Sequence, residues 1–157
     1  PPPPPPHFQA EDGIRDLASS LVGSEMCIRD RSYIRENYPD RDLKDLFTDY
    51  QAASNGLTIF TFGEAPIWYA RPDASVSYSQ PCLIDPVDTT GGGDSFRAGI
   101  VYGFLKHWTD DKMVDFAAAV AAITCTRFPG VLNAPTYDEV SEFVSDRPAQ
   151  TRTKGRD

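Results

Sequence analysis

The sequence predicts a layered α/β fold, and three observations carry that expectation. Apolar residues at Leu43, Leu46, Phe47 and Tyr50 recur at offsets of three and four, which places them on one helix face. Leu57–Phe62 and Ile67–Tyr69 are short apolar runs rich in β-formers and bounded by turn residues, a length that suits strands rather than helices. Gly91, Gly92 and Gly93 stand directly ahead of Asp94, where the pattern turns helical. Helices and strands in this succession pack as layers around a sheet.

The elements follow in order. Residues 40–53 form the first predicted helix, and Asn55-Gly56 ends it with turn chemistry. Leu57–Phe62 reads as a buried strand of a parallel sheet. Thr61-Phe62-Gly63-Glu64 turns the chain into a second strand at Ile67–Tyr69, and Arg71–Ser75 loops to a short strand at Val76–Tyr78. Pro81–Val87 then leads to the glycine run. From Ser95 the positions Phe96, Ile100, Val101, Phe104 and Leu105 keep helical spacing. Thr109 suits the N-cap of a further helix over 110–126, with Asp110 and Asp111 at its positive end. That helix is rich in alanine and apolar nearly all round, so it is predicted to be buried. Thr136 and Glu139, three apart, make a capping box that opens a last helix through Ser145. Arg147–Asp157 is a polar tail, predicted to be disordered.

The glycine run carries the chemistry. Small residues let a backbone wrap closely around an anion, and a helix that opens there aims unpaired N–H groups at it. A carboxylate inside an anion site is in conflict unless it acts on a substrate, taking a proton from a hydroxyl while a phosphoryl group arrives. The glycines alone leave a plain alternative open, because aspartate is also a favoured helix cap. The longer string narrows the choice. Asp88-Thr89-Thr90-Gly91-Gly92-Gly93-Asp94-Ser95-Phe96 resembles the second signature of the ribokinase-like (PfkB) carbohydrate kinases, D-T-x-G-A-G-D-x-F. Gly92 replaces the usual alanine, an exchange expected to keep the site small and to add only backbone freedom. The resemblance continues through Ala117–Arg127 and Gly130.

The resemblance implies a ribokinase-like three-layer α/β/α sandwich, with residues 32–146 as its C-terminal portion. It implies an ATP-dependent kinase acting on an alcohol group of a sugar, with magnesium accompanying the nucleotide. By the same resemblance Asp94 is the general base, and the backbone N–H groups across Gly91, Gly92, Gly93 and Asp94 form the anion hole. Asp88 and Thr90 match positions that bind potassium in many relatives, and Thr124, Arg127 and Gly130 fall near positions that offer further carbonyls. Thr61 and Gly63 resemble the start of the T-x-G-x-x-G loop that contacts ATP phosphates, and Pro66 ends that match where the last glycine usually stands. Ala118 matches a position that lines the adenine pocket, and an alanine there serves equally as core. A nucleoside such as adenosine is the alternative substrate within the family. A non-catalytic relative kept for interaction is the alternative from another class, expected to lose the aspartate or the glycines that this chain retains. No G-x-G-x-x-G follows a strand, which argues against a dinucleotide-binding oxidoreductase. The resemblance also allows a homodimer.

Composition sets the remaining bounds. A formal charge of −8 argues against nucleic acid or an anionic membrane as the main partner. The longest apolar stretch, around Phe116–Cys125, is too short to span a bilayer. Cys82 and Cys125 lack metal-ligand spacing and read as reduced thiols of a cytoplasmic protein. Residues 9–16, QAEDGIRD, and 21–30, LVGSEMCIRD, resemble in-frame translations of two sequencing-library adapters, separated by an index-length stretch from Leu17 to Ser20. Residues 1–31 are therefore expected to be adapter-derived, disordered and no part of the native protein. Setting them aside removes three basic and five acidic side chains and takes the charge from −8 to −6. A chain so truncated is expected to expose apolar surface and to lack kinase activity by itself.

His107, Trp68, Tyr69 and Arg97 are not assigned to the site. His107 reads as a surface residue near a helix end, the two aromatics as strand residues, and Arg97 as a partner for a carboxylate. Asp110, Asp111 and Asp115 read as a solvated helix start rather than a metal site.

Overall fold

The computed structural model describes residues 26–146 and 153–154. The expectations for residues 1–25, and for the tail apart from 153–154, lie outside the described residues. In chain order the elements are β1 (Met26–Asp30), α1 (Arg31–Asn37), α2 (Leu43–Ala53), β2 (Leu57–Phe62), β3 (Ala65–Ala70), β4 (Ser77–Ser79), α3 (Gly92–Leu105), α4 (Asp110–Cys125), a 3-10 turn (Gly130–Leu132), α5 (Tyr137–Ser145) and β5 (Thr153–Lys154). The five strands form one sheet in the order β1-β2-β3-β4-β5. β1 and β2 pair in parallel, with Ile28 opposite Ile59. β2 and β3 are joined by Gly63-Glu64, a connection too short for anything but an antiparallel pair.

The chain divides into two compact units. The first holds the described residues up to 62 together with 67–78. Its core gathers Ile34, Leu46, Phe47, Tyr50, Phe60, Phe62 and Ala70, with Trp68 packed against it. The rings of Phe47 and Phe60 meet edge to face with centroids 4.9 Å apart, a preferred aromatic geometry. Asp42 caps α2 by accepting the N–H groups of Lys44 and Asp45, which starts that helix later than position 40.

Met26–Asp30 form a strand, Ile28 is only 6% exposed, and the Asp30 carboxylate caps α1 by accepting the Tyr33 N–H. The cause is local. β2 is buried from Leu57 to Phe60, and a buried strand needs a neighbour for its backbone donors and acceptors. Thr153–Lys154 likewise form a short strand inside the segment read as tail.

The second unit holds residues 63–66 and the described residues from 79 to 153, while Lys154 belongs to the first. It is built on α3, α4 and α5. α4 is buried along Met113, Val114, Ala117, Ala118, Ala119, Ala122, Ile123 and Thr124, as its composition predicts. The Thr109 hydroxyl caps α4 through the Lys112 N–H. Thr136 and Glu139 form the expected capping box of α5. α3 lies close on α4 because Gly99 faces Ala117, where an added Cβ would stand 2.6 Å from the Ala117 Cα. No described helix is long and apolar enough to cross a membrane.

Candidate active site

The site residues of the second unit converge where α3 begins and α4 ends. Two backbone bonds fix the approach: the Val87 and Asp88 N–H groups both donate to the carbonyl of Cys125, the last residue of α4, at 2.8 and 3.1 Å. The Asp88 carboxylate then accepts the Thr90 N–H at 2.9 Å through Oδ1 and the Gly130 N–H at 3.4 Å through Oδ2. Those donors, that of Thr90 foremost, hold its carboxyl below the usual range.

The three glycines that follow have three different environments. Gly91 is the N-cap of α3 and sits in the left-handed region at φ 78°, so the turn itself calls for glycine. Gly92 lies against Cys125, whose Sγ would stand 2.9 Å from a Cβ at 92. The small residue expected there thus has a spatial cause in the Cys125 sulfur. A Cβ at Gly93 would meet nothing within 4 Å.

The start of α3 offers donors. The Gly92 N–H bonds the Thr89 carbonyl and the Ser95 N–H bonds the Gly91 carbonyl. The Gly93 and Asp94 N–H groups between them fall among the first-turn donors that a helix leaves without an acceptor. No side chain caps this end. Asp94 is the third residue of the helix rather than its cap, which removes the capping alternative. Its side chain is 80% exposed, and Arg97 one turn on donates to Oδ1 at 3.0 Å. Arg97 thus pairs with a carboxylate, as expected, and that carboxylate belongs to Asp94.

Around Gly130 the backbone turns its carbonyls inward. A Cβ there would stand 2.9 Å from the Thr124 carbonyl oxygen and 3.5 Å from that of Thr90. Two carbonyl oxygens beside the Asp88 carboxylate form an oxygen-rich cradle of the hard-donor type that suits an alkali cation. The Thr124 carbonyl also accepts the Arg127 N–H at 3.1 Å. Arg127 is held in turn from outside: its guanidinium donates to Glu139 and, at 2.9 Å, to the Asn133 carbonyl. Glu139 also accepts the Thr136 N–H, and these donors, Thr136 first and Arg127 after it, lower its carboxyl to about 2. Among the described residues no cluster of His, Cys, Asp and Glu side chains could hold a metal.

The remaining assignments are described by their own elements. Ala118 sits on α4 six residues before Thr124, 7% exposed and within the core. Thr61 is the penultimate residue of β2, and Gly63 occupies the hairpin at φ 69°, a conformation that accounts for its glycine by itself. Trp68 packs edge to face on Phe47, Phe62 and Tyr78, half-buried against the core of the first unit. Asp115 accepts the Ser79 hydroxyl at 2.8 Å. Cys125 and Glu139 are the two contributors that sequence reasoning missed. Glu139 was legible only as a cap, and nothing local to Cys125 signals its contact with Gly92.

Residues 39–136 match the pfkB family carbohydrate kinase model, a span that contains the whole glycine turn and its cradle. The chain belongs to the pfkB carbohydrate kinase family. It is 28% identical over 142 residues to an ATP-dependent ribose-1-phosphate kinase from Halopiger xanaduensis, an alignment covering 86% of this chain and 44% of that protein. Among solved structures it resembles the ribokinase of Arabidopsis thaliana complexed with ribose and ATP, at a TM-score of 0.68 and 14% identity, over 78% of this chain and 41% of the other. A nucleoside kinase of Methanocaldococcus jannaschii, described as an archaeal member of the ribokinase family, gives 0.65 and 21%, over 78% and 40%. The fold is ribokinase-like α/β, and the chain spans less than half the length of these relatives.

Proposed function

We propose that the protein carrying this segment is an ATP-dependent kinase that phosphorylates an alcohol group of a sugar, with the turn at Gly91–Asp94 as its phosphoryl-transfer site. One observation carries the reading: unpaired first-turn N–H groups at Gly93 and Asp94 lie beside open space at Gly93 and an exposed carboxylate at Asp94.

The chemistry follows from that placement. Arg97 occupies Asp94 Oδ1, which leaves Oδ2 for the acceptor hydroxyl. As the hydroxyl oxygen bonds the γ-phosphorus of ATP, Asp94 takes its proton, and the bond to the β–γ bridging oxygen breaks to release ADP. Negative charge on the transferring group falls on the Gly93 and Asp94 N–H donors, which are already aimed. Magnesium would accompany the nucleotide and offset negative charge on its phosphates.

The carbonyls of Thr90 and Thr124 and the carboxylate of Asp88 fit a potassium ion, with Arg127 and Gly130 as neighbouring carbonyl donors. Such an ion would strengthen the field at the turn. Thr61, Gly63 and Ala118 enter the proposal as nucleotide contacts on the family motif alone. The acceptor is a small molecule, a sugar first and a nucleoside second.

The test is Asp94→Asn in the full-length protein, assayed with Mg-ATP against pentoses, sugar phosphates and nucleosides. Turnover should fall by about 10²–10⁴-fold while ATP affinity stays close to wild type. Turnover that survives within a few fold removes Asp94 as base. A wild-type protein that phosphorylates none of these acceptors removes the kinase reading.

A further inference from the structure

We propose that Cys125 and Gly92 are a matched pair, in which the cysteine side chain dictates glycine at the second position of the turn. Gly92 is the first residue of α3, and its φ lies outside the left-handed region. Nothing in the backbone there calls for glycine, and alanine is the better helix former. The reason is spatial, because a Cβ at 92 would meet the Cys125 Sγ at 2.9 Å.

The sulfur has little room to yield. A helical residue has essentially two of the three χ1 wells available. The Cys125 backbone cannot withdraw either, since its carbonyl accepts both the Val87 and the Asp88 N–H. One residue therefore braces both ends of the turn, through its carbonyl at the entry and its sulfur at the exit. Cys125 touches no reacting atom in this arrangement. It is a positioning residue, and it sets which side chain the turn accepts. A methyl group at 92 has to push the turn, and with it the Gly93 and Asp94 donors, off the end of α4.

The experiment is a double-mutant cycle in the full-length protein, using Gly92→Ala, Cys125→Ala and both together. The activity arm rests on the kinase reading above, while melting temperature and amide exchange over residues 86–95 do not. Gly92→Ala should lower kcat/KM by about 10- to 100-fold, the scale of a displacement near 1 Å in a positioned site. It should also lower the melting temperature and speed exchange across the turn. Cys125→Ala, which keeps the carbonyl brace, should change all three by less than Gly92→Ala does. The double variant should recover kcat/KM to within a few fold and restore melting temperature and exchange.

A Gly92→Ala protein that matches wild type in melting and exchange overturns the pair, as does a double variant no better than Gly92→Ala. If Gly92→Ala fails to fold, a folded double variant supports the pair and an unfolded one overturns it. If no form phosphorylates any acceptor, the kinase reading fails while melting and exchange still decide the pair.

Discussion

Replacing Gly99 with alanine sets two effects of known size against each other in the contact that holds α3 on α4. The new methyl carbon would lie 2.6 Å from the Ala117 Cα and 3.0 Å from its Cβ. Resting carbons stand ~3.5–4.0 Å apart, so the helices must separate by about 1 Å. Overpacking costs about 1–3 kcal/mol, and a neighbour that is helix backbone puts this site at the upper end. Alanine returns ~1 kcal/mol of helix propensity. The net expectation is a loss of ~2 kcal/mol, which lowers the melting temperature by about 3 °C in a protein of roughly 300 residues. The assay is thermal and urea unfolding of the full-length protein, with Gly103→Ala as companion. At Gly103 the added carbon meets side chains rather than backbone, Met113 Cγ at 2.7 Å and Cβ at 3.1 Å and the Trp108 ring at 3.2 Å, and methionine is the more adaptable neighbour. Gly103→Ala should therefore lose less than half as much as Gly99→Ala. If Gly99→Ala raises the melting temperature, propensity has won and the close approach of α3 to α4 is refuted.

Two further outcomes follow from the cradle. Glu139 has its carboxyl lowered from 4.5 to about 2, so its contribution is full above the unfolded value and is lost as pH falls through the folded one. Urea midpoints of wild type and Glu139→Gln should therefore converge as pH drops from about 5 toward 2, and a gap independent of pH would refute the role of the charge. Asp88→Asn keeps an oxygen for the Thr90 N–H but removes the negative charge beside the carbonyls. The potassium concentration for half-maximal activity should rise at least about tenfold, and an unchanged titration would remove the cation from this position.

Local signals account for what was legible. The burial of β2 and the caps at Thr109 and Thr136 depend on residues within one turn or one strand of each other. α3 starts two residues ahead of the helical pattern expected from Asp94, because its geometry begins with two glycines, which propensity argues against. Arg127 with Glu139, and Cys125 with Gly92, pair across 12 and 33 positions. Such contacts exist only once α4 has packed against α5 and α3, and no window of sequence contains their cause. Met26–Asp30 was set aside for its likeness to foreign sequence, yet β2 takes those five residues as its parallel neighbour. Hydrogen bonding of this kind is supplied by backbone and is nearly blind to where the sequence came from.

The junction of α4 and α3 also places two helix ends of opposite polarity side by side. The carbonyl-rich end of α4 at Thr124 and Cys125 carries partial negative charge, and the N–H-rich start of α3 at Gly93 and Asp94 carries partial positive charge. A cation at the first and a phosphoryl group at the second would each be favoured by its own pole and by the other's charge. Their binding would then be thermodynamically linked: whatever factor the cation adds to the affinity for the anion, the anion adds to the affinity for the cation.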